Sequence, residues 1–112
     1  MSRNNFHRAN GEERVFKITL EAGEAVTANA SNYHYFVMRL VRDGQTYGEK
    51  VGETYSLAAR SLVANEAVTL YDDAVGLAMS DGETLALYIE ETGSPAPLER
   101  LVVWVDTQRR AR

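Results

Sequence analysis

The chain has 112 residues, 45% of them apolar and 25% charged, the make-up of one ordinary globular domain and not of a disordered segment. A formal net charge of -4 lacks the positive footprint that phosphate binding needs, which argues against nucleic acid as a partner. The absence of cysteine excludes disulfides, zinc–thiolate sites, iron–sulfur clusters and cysteine nucleophiles together.

In chain order, residues 1–13 are polar, carry Arg3, His7 and Arg8, and read as an N-terminal arm with no apolar leader. Residues 15–21 then alternate. Phe16, Ile18 and Leu20 point one way, and Val15, Lys17 and Thr19 the other, the period of a half-buried strand. Ala22-Gly23-Glu24 turns the chain, 25–30 reads as a short, weaker strand, and 29–32 as a loop.

Residues 33–42 form the strongest segment, with Phe36, Met38 and Leu40 on one face and Tyr35, Val37 and Val41 on the other. A strand apolar on both faces is central in a sandwich or lies against another subunit. Asp43-Gly44 signals a hairpin turn, and 45–51 a returning strand. The stretch 56–65 fits a strand followed by a loop or a single helical turn, with Ser56 as a helix cap. Residues 67–71 and 75–79 read as two short strands, and Asp81-Gly82 as another turn.

Residues 84–91 alternate cleanly, with Leu85, Leu87 and Ile89 inward and Ala86, Tyr88 and Glu90 outward. The run Gly93-Ser94-Pro95-Ala96-Pro97 breaks the ladder, because proline lacks the backbone donor. The last strand spans 98–106, with Leu101, Val103 and Val105 on one face and Val102 and Trp104 on the other. Short strands at this spacing predict an all-β fold, an antiparallel β-sandwich or jelly-roll-like barrel of about eight strands. The expected organisation is a polar arm over 1–13, one β domain over 14–106 and a basic tail over 107–112. No run is long and apolar enough to span a membrane as a helix, so no membrane partner is expected.

Catalytic chemistry finds little to work with. His7 sits in a polar arm, and His34 begins a strand beside two tyrosines, where an interface or strand-end histidine is the expectation. The neighbouring acids Asp72-Asp73 and Glu90-Glu91 alternate across a strand and cannot act as a glycosidase pair. Asp72, Asp73, Asp81 and Glu83 would hold calcium only if they met at one end of the sandwich, and no EF-hand spacing is present. There is no glycine-rich phosphate loop. The expectation is therefore a protein that binds and does not catalyse, with no cofactor and no metal. Asn29-Ala30-Ser31 is a formal glycosylation sequon, read as chance.

Charge is unevenly spread. Arg3, Arg8, Arg109, Arg110 and Arg112 gather at the two ends, while acids concentrate between Glu66 and Glu99, a division that suits docking between copies. Together with Tyr33, Tyr35 and Trp104, these arginines are the candidate interface residues, because aromatic and arginine side chains are enriched at protein contacts.

The stretch Phe16-Lys17-Ile18-Thr19-Leu20-Glu21-Ala22-Gly23-Glu24, followed by Ala28-Asn29-Ala30 and Tyr35-Phe36-Val37, resembles small bacteriophage virion proteins. Their pattern is an aromatic-led strand, an L-x-A-G turn and a strand carrying a Tyr-Phe pair. The resemblance covers about the first third of the chain. It implies an all-β structural module on a capsid or tail, such as a capsid decoration protein assembled in the host cytoplasm. Its implied partners are other copies of itself and other virion proteins. A carbohydrate- or ligand-binding β module is the alternative.

Overall fold

A computed structural model describes residues 2–42, 45, 48–98 and 100–109. Among these, seven strands form and no helix: β1 (Ser2–Arg8), β2 (Glu13–Ala22), β3 (Tyr33–Val41), β4 (Glu49–Ser56), β5 (Ala67–Met79), β6 (Thr84–Thr92) and β7 (Leu101–Arg109). They make two antiparallel sheets, one ordered β1-β6-β3-β4 and the other β5-β2-β7. The fold is the all-β sandwich that the alternation predicts.

The pairing is nested. β3 pairs with β4, β2 with β5, and β1 with β6, so the first six strands are one long hairpin rolled over itself. That is the connectivity of a jelly roll, with β7 added along the other side of β2.

Between the sheets lies one core. β2 contributes Val15, Ile18 and Leu20, and β3 contributes Phe36, Met38 and Leu40. Leu85 and Leu87 of β6, Val51 of β4 and Leu70 and Met79 of β5 complete it. Removing each such side chain from water stabilises the fold by about 1.5–3 kcal/mol. A second, smaller cluster covers the outer face of the four-stranded sheet. It contains Val37, Val41, Ala86 and Tyr88, with Tyr35 against it. Ala86 and Tyr88 point outward as the alternation requires, yet both are buried, and the Arg39 guanidinium lies 5.7 Å from the centre of the Tyr88 ring. Long polar stems covering apolar rings explain such burial without a further layer.

Several elements differ from the sequence reading. Residues 2–8, expected as an arm, form an edge strand on β6. Its polar side chains gave no alternation, and its pairing is made by the backbone. Within 25–30 there is only a single bridge, Val26 to Leu62, because Asn29 Oδ1 accepts the N–H groups of Ser31 and Asn32 and bends the chain out of a ladder. The returning strand starts at Glu49 and not at 45, since Arg42 and Gln45 close a turn on each other. The Asp43-Gly44 turn lies outside the described residues.

After β4, Ser56 Oγ accepts the Ala58 N–H, and the chain turns without a helical turn. The two strands expected at 67–71 and 75–79 are one strand with a bulge. Lys17 pairs with Asp72 and Val15 with Leu77, so residues 73–76 bow out opposite Phe16. Asp73 Oδ1 accepts the Val75 N–H there, and Gly76 turns at φ 88°. A Cβ on Gly76 would stand 2.9 Å from the Phe16 ring, so both conformation and space call for glycine. The last strand is shifted to Leu101–Arg109, past the proline loop.

Candidate functional site

The sequence-predicted interface residues do not form one patch. Tyr33 and Tyr35 lie on β3, their ring centroids 6.2 Å apart. Tyr35 is hydrogen-bonded to Glu90, which raises its phenol pKa above the ordinary 10.0. Trp104 stands on the outer face of the other sheet, across the sandwich. Arg8 is exposed at the end of β1, beside the Asp81-Gly82 turn. Arg3 falls on β1 and Arg109 on β7, while Arg110 and Arg112 lie outside the described residues.

The acids weighed for calcium are also divided. Asp72 and Asp73 sit at the β5 bulge, Asp81 accepts the Gly11 N–H, and Glu83 accepts the Ser80 N–H and pairs with Arg42 at 2.8 Å. Among the described residues no three His, Asp or Glu side chains come together as a metal site.

The most distinctive surface is the β7 edge. β7 pairs with β2 along one side only, and no described strand occupies the other. Val102 is 46% exposed and Trp104 is 59% exposed, side by side on the outer face. Across β2 they face Glu21 and Thr19. The Gly23 N–H donates to the Arg100 carbonyl at 3.0 Å, and Ala22 pairs with Leu101. Backbone groups alternate along an antiparallel strand, so Leu101, Val103 and Val105 turn their N–H and C=O groups away from β2, toward the open edge. The strand has no proline to blunt the edge, and no charged side chain lies over Leu101–Val105. Sequence reasoning put Val102 and Trp104 on a shared face and named Trp104 as an interface candidate, but it gave neither which face is outward nor the open edge, which depends on strand order.

A second surface is a cleft of about 470 Å³ at one end of the sandwich, between the 23–32 and 93–98 loops. Asn29, Asn32, Tyr33, His34, Pro95 and Leu98 are among its lining residues. Both amide oxygens are held by backbone donors, Asn29 Oδ1 by Ser31 and Asn32, and Asn32 Oδ1 by Ser94. That fixes both amides in place. His34 is buried with its Nε2 3.5 Å from Glu91 Oε2. The imidazole lines the cleft together with Asn32 and Tyr33. Gly93, at φ 72°, closes this end, since a Cβ there would meet Asn32 Oδ1.

A smaller hollow of about 350 Å³ follows the β4–β5 seam, where Arg60 lies 4.9 Å from the Tyr55 ring centre. The Tyr71 hydroxyl donates to Asp73 at 3.1 Å at its margin. Burial, then this hydrogen bond, raises the Tyr71 pKa, while the Val75 N–H, then the Tyr71 hydroxyl, lowers that of Asp73.

The chain matches no protein-family model, no curated protein and no solved structure.

Proposed function

We propose that this chain is a non-enzymatic assembly module, a structural component of a bacteriophage virion of the capsid-decoration type. The observation that carries the assembly reading is the β7 edge, a nine-residue strand unpaired on one side and bearing exposed Val102 and Trp104. Open edges and exposed tryptophans are the surfaces that β-rich modules bury on partners. The virion setting rests on the likeness of the 16–37 stretch to small phage structural proteins.

The test is the mass of the species formed by the purified chain, alone and with phage shells stripped of their decoration protein. Wild type is expected to assemble or to load the shells, and Trp104→Glu to do neither. A chain that stays monomeric and leaves shells bare overturns this reading, as does loading unaffected by Trp104→Glu.

A second reading is favoured by the cleft, whose volume falls in the range of small-ligand sites and whose two amides are locked by their loops. In that reading Asn29 and Asn32 orient a small polar ligand, such as a sugar, beside Tyr33. Calorimetric titration with a panel of monosaccharides against wild type and Asn32→Ala tests it, and heats that are flat for every sugar reject it.

A further inference from the structure

We infer that β7 pairs antiparallel with β7 of a second copy, about a twofold axis through Val103, joining two three-stranded sheets into one of six strands. The inference rests on the assembly reading and adds its partner, its geometry and its register.

Three features of the strand lead there. The first is the backbone. Leu101, Val103 and Val105 present their N–H and C=O groups to the open side, given the Gly23-to-Arg100 bond and the Ala22–Leu101 pair. A twofold antiparallel pair must therefore place these odd-numbered residues opposite one another in hydrogen-bonded positions. The even-numbered residues then meet in the non-hydrogen-bonded positions, where side chains come closest.

The second feature is the side-chain pattern. With Val103 on the axis, Leu101 faces Val105 of the other copy, and Val102 faces Trp104, twice by symmetry. An aromatic opposite a β-branched residue is a favourable cross-strand pair. The third is charge. In the same register Arg100, the exposed residue that leads into β7 at φ 53°, falls opposite the exposed Asp106 of the other copy. At present Arg100 leans on Glu24 at 3.1 Å and Asp106 sits beside Lys17 in the ladder, so both carry charge on the rim of the edge.

The neighbouring registers fail. In the allowed step that sets Trp104 opposite Trp104, Val102 faces the Asp106 carboxylate. In the allowed step the other way, Trp104 faces Arg100, and the Asp106 carboxylate falls opposite the apolar Leu98. Only the Val103 register pairs apolar with apolar over Leu101–Val105 and also brings Arg100 opposite Asp106 at the end of that run. A surface that complements itself in this way makes a closed twofold dimer, not an open fibre.

The experiment measures dimer dissociation by analytical ultracentrifugation of the full chain and three kinds of variant. Val103→Pro removes an N–H that β2 does not use, so the β2–β7 ladder is expected to survive with some loss of packing at this half-buried position, and circular dichroism and melting of the variant check that it does. Two symmetric hydrogen bonds disappear, each worth roughly a factor of five, so the dissociation constant is expected to rise about twenty-five-fold. Arg100→Asp and Asp106→Arg alone are each expected to weaken the dimer, and the double exchange to restore it, which answers the question even if the proline variant melts early. Finally, Val102→Cys mixed with Trp104→Cys is expected to give a disulfide-linked pair under mild oxidation, since the native chain has no cysteine to compete.

A dimer indifferent to both Val103→Pro and the charge exchange overturns the β7 pairing while leaving assembly through another surface standing. A chain that is monomeric alone yet loads shells through Trp104 likewise overturns the twofold dimer and leaves the assembly reading intact. Weakening by both single exchanges with no recovery in the double variant overturns the register.

Discussion

Replacing His7 with alanine tests whether β1 is a working part of the domain. His7 Nε2 lies 2.7 Å from Glu13 Oε2, and the Glu13 side chain is only 4% accessible. The other carboxylate oxygen accepts the Asn10 N–H at 3.2 Å. A hydrogen bond to a charged group contributes about 1.5–3 kcal/mol, and a nearly sealed carboxylate that loses its donor keeps its desolvation cost. The His7 side chain is 23% accessible, so its removal opens a path for water and tempers the loss. The expected cost is about 2 kcal/mol, which for a domain of this size lowers the melting temperature by about 8 °C. The assay is thermal and urea melting of His7→Ala, Glu13→Gln and the double variant. Because Gln carries no charge to strand, the double variant should lose less than the sum of the singles. A His7→Ala melt within about 2 °C of wild type, or strict additivity, would refute the buried pairing. Deleting 1–8 should destabilise further, since it also bares the outer edge of β6.

The remaining predictions address the core, the bulge and pH. Phe36→Ala should cost about 3–5 kcal/mol in urea melts, because its ring is sealed between the sheets beside Tyr55, whereas Trp104→Ala should change monomer stability by roughly 0.5 kcal/mol or less. Comparable losses at the two positions would show that the two faces of β3 and β7 are misassigned. Gly76→Ala should cost about 2 kcal/mol, from the left-handed backbone and the Phe16 ring, read as a lower urea midpoint with an unchanged slope. Asp73 has a folded pKa below the ordinary 3.8, so its stabilisation is present above that pH and is lost as pH falls through the folded value. The stability gap between wild type and Asp73→Asn should therefore close on acidification below 3.8, and a gap constant with pH would reject the assignment.

What the sequence made legible was what alternation encodes. The β3 segment is apolar on both faces, and it is central, with β6 and β4 on either side. Leu85, Leu87, Phe36, Met38 and Leu40 are core as their period requires. Trp104 and Val102 share a face opposite Leu101, Val103 and Val105, as read, and that face is the exposed one. What escaped was structure carried by the backbone or by local capping. Ser2–Arg8 has a polar sequence and pairs through main-chain groups. The Asp72–Gly76 run has turn chemistry, which was read as a break between two strands, yet the same chemistry makes a bulge inside one. The open edge of β7 and the cleft at the loop end follow from strand order and loop packing, which no window of residues contains.

The nested pairing also sets an order of events in time. β2 finds β5, and β1 finds β6, only after most of the chain between them exists, so closure of the roll depends on distant partners. Until β7 docks, the free edge of its sheet is β2, whose outward side chains include Lys17 and Glu21 flanking Thr19. Charges of that kind discourage a stray strand from adding. Once β7 has docked, the edge strand presents exposed Val102 and Trp104 where β2 presented Glu21 and Thr19, with the charge of Asp106 further along. If copies join through β7 as proposed, a partly folded copy shows neighbours a guarded border, and the joining strand is in place only in a chain that has finished rolling.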